Sequence, residues 1–117
     1  VSTVRSRKNK GKRLQNFVRD NLLELFESLE PDDIVSAIMG DTGKDIKLSP
    51  AARKLIPYSI EAKNVESLNI WKAIDQCLAN TDLEKELPAV VFSKNNREVW
   101  AAIPFEHFIE LIKRYKN

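Results

Sequence analysis

The sequence predicts a single mixed α/β domain. Three observations carry that expectation. A chain of 117 residues is the size of one domain. Its 43% hydrophobic and 31% charged residues suit a packed core with a solvated surface. The apolar residues also switch period along the chain, from helical steps of three and four to strand alternation and back. No repeat, low-complexity tract or internal linker interrupts this pattern.

Over residues 11–29, Leu14, Phe17, Val18, Leu22, Leu25, Phe26 and Leu29 form one helical stripe, with Arg19, Asp20, Glu24 and Glu27 off it. Pro31 stops this helix, and Asp32-Asp33 turn the chain into a β-branched strand over 34–39. Residues 40–43, Gly-Asp-Thr-Gly, form a turn, and 45–48 a second short strand. Ser49-Pro50 supplies an N-cap and a proline at the first helical position, opening a short helix over 51–55 before Pro57. Residues 58–63 alternate, with Tyr58, Ile60 and Ala62 on one side and Ser59, Glu61 and Lys63 on the other. A helix follows over 69–80 on Ile70, Ala73, Ile74, Cys77 and Leu78. Strands over 88–94 and 97–103 are joined by a tight Asn95-Asn96 turn. Pro104 opens a last helix striped by Phe105, Phe108, Ile109, Ile112 and Tyr115.

The net charge of +2 conceals an asymmetry. Residues 1–13 hold Arg5, Arg7, Lys8, Lys10, Lys12 and Arg13 and no acid, whereas the other 104 carry 13 basic and 17 acidic side chains. A basic arm over 1–10 leading an acidic domain over 11–117 has two readings. One is a nucleic-acid footprint, since each neutralised phosphate releases counterions; the other is a solvated tail. The arm lacks the interleaved large apolar residues of a membrane-surface helix. No apolar run approaches the ~20 residues of a membrane span, and no secretory leader is visible, so an intracellular protein is expected. The single cysteine, Cys77, excludes an intramolecular disulfide framework and a cysteine-based zinc site. With His107 the only histidine, the chemistry is expected to run on carboxylates, lysine or a metal.

Glu61-Ala62-Lys63 is the most informative triplet. Residues two apart on a strand project from the same face, so the carboxylate and the ammonium stand together. Such a pair is either a surface ion pair of little consequence or half of a site completed by Asp45, which heads the preceding strand. Two carboxylates beside a lysine suit metal-assisted phosphodiester hydrolysis. Carboxylate oxygens hold a hard cation such as Mg²⁺, the ion stabilises phosphoryl charge and activates a water, and the lysine orients or deprotonates that water.

On these residues the chain resembles the PD-(D/E)XK nuclease superfamily. The resemblance covers roughly residues 11–92, with Asp45 at the second strand and Glu61-x-Lys63 on the third. It implies a restriction-endonuclease-like fold, with an α-β-β-β-α-β core and a central mixed sheet, here followed by a C-terminal strand and helix. Within the superfamily the chain is most similar to archaeal and phage-type Holliday junction resolvases, with virus-type replication-repair nuclease domains as neighbours. The opening Lys10-Gly11-Lys12-Arg13-Leu14-Gln15 matches their basic segment, glycine and first helix. The chain departs from the pattern at two positions: Lys44 stands in place of the proline, and Gln15 where the resolvases usually carry Glu. A glutamine offers a carbonyl oxygen to a metal or its water instead of a charge.

The resemblance implies a Mg²⁺-dependent enzyme, with Mn²⁺ as substitute, that leaves 5′-phosphate and 3′-hydroxyl ends. Asp45 and Glu61 are its expected metal ligands and Lys63 positions the water. Gln15, Ser36 on the first strand and Gln76 on the helix after Lys63 are the further catalytic candidates. For Gln76 the competing expectation is an exposed helical glutamine. The expected DNA-binding set is Arg5, Arg7, Lys8, Lys10, Lys12, Arg13 and Asn64, although Asn64 equally suits a strand end. Trp71 beside Ile70 reads as core more readily than as a base-stacking ring, and His107 as a solvated or capping residue. Cys77, on its stripe, reads as buried. The expected activity is cleavage of branched DNA by a homodimer. A monomeric flap- or nick-processing nuclease and a non-catalytic nucleic-acid-binding module are the alternatives.

Overall fold

The computed structural model describes residues 3–38 and 43–116. The first helix, α1, spans Val4–Leu25, seven residues earlier than the apolar stripe predicts. Thr3 starts it: its hydroxyl oxygen accepts from the Ser6 amide at 3.0 Å. Lys and Arg are good helix formers, so the basic arm from residue 4 onward forms the opening turns of α1. Gly11 sits inside this helix with nothing within 4 Å of where a Cβ would stand. Gly11→Ala should therefore raise the unfolding free energy by about 0.5–1 kcal/mol, measurable by urea denaturation; a loss of stability would mean that the space above Gly11 is not open.

The helix ends at Leu25, four residues before the predicted end. Leu29, buried, enters the core from the following turn instead. Only part of the predicted stripe packs inward. Leu14 and Val18 are buried and Leu22 and Phe26 half-buried, while Phe17 and Leu25 are exposed. A 3-10 turn, Pro31–Asp33, leads into β1, Ile34–Ser36, which pairs antiparallel with β2, Ile46–Leu48. Of the predicted 40–43 turn only Gly43, at φ 98°, lies inside the described residues; Met39, the predicted end of the first strand, lies outside them as well. The short helix α2, Pro50–Leu55, has the predicted cap, the Ser49 hydroxyl oxygen accepting from the Ala52 amide at 3.1 Å.

Strand β3, Tyr58–Asn64, lies parallel to β4, Leu87–Ser93, with α3, Ile70–Ala79, as the connecting crossover. β4 in turn pairs antiparallel with β5, Trp100–Ala102, giving a mixed three-stranded sheet in the order β3-β4-β5. A turn at Asn95-Asn96, with Asn96 at φ 59°, lies between these last two strands. The predicted 97–103 strand is shorter: β5 begins only at Trp100, so the connection is longer than the expected tight turn. The last helix, α4, spans Phe105–Lys116. α1, β1, β2 and α2 pack over one side of β3 around Ile34, Ile46, Ala52 and Ile60. α3 packs Ala73 and Cys77 against Val90 in a second, smaller core. No helix of the described residues is long and apolar enough to cross a membrane.

Two expectations are corrected here, and the last helix shows which of its residues are open. Trp71 is 74% exposed because α3 turns Ala73 and Cys77, not the indole, toward the sheet. His107 is buried, its ring hydrogen-bonded to the Tyr58 hydroxyl and set edge-on to that ring at 5.3 Å, so it is neither solvated nor a cap. The apolar stripe of α4 finds no core: Phe105 is 73%, Phe108 49% and Ile112 48% exposed.

Candidate active site

The antiparallel β1-β2 ladder is separate from the β3-β4-β5 sheet, and the Asp45 side chain bridges the two. Its Oδ2 accepts a hydrogen bond from the Ala62 amide at 2.8 Å. That amide lies on the edge of β3, so the carboxylate takes the place a neighbouring strand carbonyl would fill. Asp45 is thereby fixed beside Glu61 and Lys63.

Glu61 is 6% exposed, which rules out a solvated surface ion pair. Its Oε1 lies 3.6 Å from the Lys63 Nζ, and the Asp45 carboxyl is near enough to act on its titration. Burial pushes the Glu61 carboxyl up to about 7; the neighbouring Asp45 carboxyl adds to the rise, and Lys63 opposes it. The native state therefore holds a proton that the unfolded chain releases near the ordinary 4.5. The stability this proton supplies is fully present below pH 4.5 and is lost as pH rises through about 7. In urea titrations the unfolding free energy of Glu61→Gln should fall less steeply across that window than that of the wild type. Identical slopes would contradict the raised carboxyl.

Asp45, Ala62, Lys63 and Asn64 form one wall of a concavity of about 260 Å³. The facing wall is α1, through Arg7, Lys8, Gly11, Lys12 and Gln15. These positions recur at steps of three and four, which places them on one helical face. Two bonds lock the walls together: the Lys12 Nζ donates to the Ala37 carbonyl at 2.9 Å, and the Asn64 Nδ2 donates to the Lys10 carbonyl at 3.3 Å. Buried Oε1 of Gln15 and Oδ1 of Asn64 have no hydrogen-bond partner. Lys44 forms an ion pair with Glu86 at the edge of β4, so the residue in place of the pattern's proline ties the Asp45 segment to the sheet.

The donors fit a hard divalent cation. Asp45 and Glu61 are neighbouring carboxyls that act on each other electrostatically, and Gln15 leaves a buried carbonyl oxygen without a donor. All are oxygen ligands, as Mg²⁺ and Mn²⁺ prefer. Among the described residues no group of three or more His, Cys, Asp or Glu side chains comes together, so an ion here would rest on two carboxylates, the amide oxygen and water.

The other sequence candidates fall outside this cluster. The Ser36 hydroxyl is buried and donates to the Asn16 Oδ1 at 2.8 Å, a tie between β1 and α1. Gln76 is exposed on α3 and does not line the concavity. Arg5, Lys10 and Arg13 belong to α1 but not to the lining; Arg7, Lys8 and Lys12 do. The apolar stripe starts only at Leu14 and carries no sign that Arg7, Lys8, Gly11, Lys12 and Gln15 share a face. The four-residue spacing was the available signal. Comparison of the chain with protein-family models, curated proteins and solved structures gave no match.

Proposed function

We propose that the protein is a Mg²⁺-dependent, structure-selective DNA endonuclease with a restriction-endonuclease-like fold, most similar in its site to Holliday junction resolvases. One observation carries the reading: Asp45, Lys63 and the unpartnered Gln15 oxygen line a single concavity, backed by buried Glu61 and faced by Arg7, Lys8 and Lys12. Asp45 has a structural task at the Ala62 amide, but a buried second carboxyl, a lysine and an orphaned amide oxygen beside it add a cost to stability that folding does not require.

Asp45, Glu61 and the Gln15 carbonyl would hold the cation, whose role when bound is to stabilise charge on the phosphoryl oxygens and to acidify a water. The Lys63 ammonium, anchored by Glu61, orients the attacking water for in-line approach to phosphorus and offsets negative charge in the transition state. Arg7, Lys8 and Lys12 take up backbone phosphates, which position the duplex without reading its sequence. The setting of these cations strengthens the case. They stand on one face of the first three turns of α1, whose first turn holds no acid.

The partner is branched DNA, and the exposed stripe of α4 supplies a face for a second copy of the chain. A two-fold dimer presents two such sites to the two scissile strands of a junction. Four-way, flap and linear substrates cut side by side with Mg²⁺, together with light scattering, test this. Fastest cleavage of the four-way junction by a dimer is expected. A monomer that cuts flaps faster would instead favour a flap- or nick-processing nuclease.

A further inference from the structure

Beside the candidate active site lies a second groove of about 260 Å³, lined by residues that include Val65, Phe92, Lys94, Arg97 and Trp100. Val65 lines both concavities, so the two are neighbours with one residue in common. The strand register extends the link: Lys63 pairs with Phe92 across β3-β4, and Phe92 with Trp100 across β4-β5. Register partners project from the same face. The three residues thus form a row that places the Trp100 indole two strand spacings, ~10 Å, from Lys63. That span corresponds to about three stacked nucleotide rises of ~3.4 Å.

Trp100 is 59% exposed, yet its orientation is fixed, because its Nε1 donates to the Glu98 Oε1 at 2.8 Å. The acids of the groove are already engaged. Glu98 also accepts from Arg97 at 2.9 Å, and the Glu66 Oε2 accepts from the Asn95 amide at 2.8 Å. Lys94 has no ion-pair partner among the described residues. An oriented aromatic face, a free cation and room for little more than one ring suit a single unpaired nucleotide. A duplex keeps its base faces stacked and cannot use the indole.

We propose that this groove is the single-strand arm of the site, in which an unpaired base about three nucleotides from the scissile phosphate stacks on Trp100 while Lys94 holds its phosphate. The proposal rests on the nuclease reading for its place in the reaction, but the groove can be tested without cleavage. Fluorescence anisotropy of labelled oligothymidylate and of a blunt duplex, with the full chain, is the experiment. Trp100→Ala should weaken oligothymidylate binding about 5- to 100-fold, the range for losing one stacked base, and leave duplex binding unchanged. Trp100→Phe should retain most of the affinity. In Trp71→Phe protein, where Trp100 is the remaining tryptophan, oligothymidylate should quench the emission, and should do so equally when Lys63→Ala is added.

Equal affinity in wild type and Trp100→Ala, equal losses for single strand and duplex, or no quenching would each overturn the proposal. The two readings fail separately. Trp100-dependent oligothymidylate binding by a protein that cuts nothing would sink the nuclease reading alone. Metal-dependent cleavage with Trp100-independent binding would sink the groove alone.

Discussion

Lys63→Ala abolishes cleavage while DNA affinity stays close to that of the wild type. The Lys63 Nζ lies 3.6 Å from the Glu61 Oε1 and lines the concavity with Asp45, where the proposed mechanism brings the attacking water and the phosphoryl oxygens together. Groups that move or orient a proton in the transition state typically contribute 10²–10⁴-fold, and single-turnover rates should fall by about that much. The proposed function assigns binding to Arg7, Lys8 and Lys12 on α1, so filter-binding or anisotropy curves should nearly overlay. The fold should persist too, since the Lys63 side chain is about 30% exposed. Substantial activity in the variant would mean that the chemistry does not run at this lysine.

The second large effect belongs to Asp45, where two substitutions separate chemistry from architecture. Asp45→Asn keeps an oxygen able to accept from the Ala62 amide but removes the charge, so folding should survive while Mn²⁺ binding and cleavage are lost. Asp45→Ala also strands that amide and the bridge between the β1-β2 ladder and β3. It should cost a further ~1–3 kcal/mol in thermal or urea unfolding. If Asp45→Asn binds Mn²⁺ as tightly as the wild type, the carboxylate is not a ligand and the non-catalytic module becomes the better account.

The parts of this protein legible in the sequence are those written locally. The E-x-K pair stands together because strand alternation alone decides it, and Ser49-Pro50 caps α2 through contacts within one turn. The Asn95-Asn96 turn is equally local, with Asn96 supplying the left-handed residue. What escaped depends on distant partners. Tyr58, 49 residues away in sequence, buries His107 through a hydrogen bond that no periodicity reveals. Trp71 and the α4 stripe have helical spacing, but spacing says only that a face is apolar, not that something covers it. The β1-β2 ladder stays apart from the larger sheet because one side chain, Asp45, occupies the edge amide of β3. Asp45 was legible as a candidate from its place before a strand; its structural part in bridging the two sheets was not.

The central claim is that the concavity lined by Asp45 and Lys63, with Glu61 buried behind it, hydrolyses phosphodiester bonds with a divalent cation. Its most direct test is end-mapped cleavage of a four-way junction by the wild-type chain in EDTA, after Mg²⁺ is restored, and by Lys63→Ala purified in parallel. The account predicts no product in EDTA, nicks bearing 5′-phosphate and 3′-hydroxyl ends with Mg²⁺, and none from the variant. Cleavage that survives EDTA, or that is equal in wild type and Lys63→Ala, would contradict it.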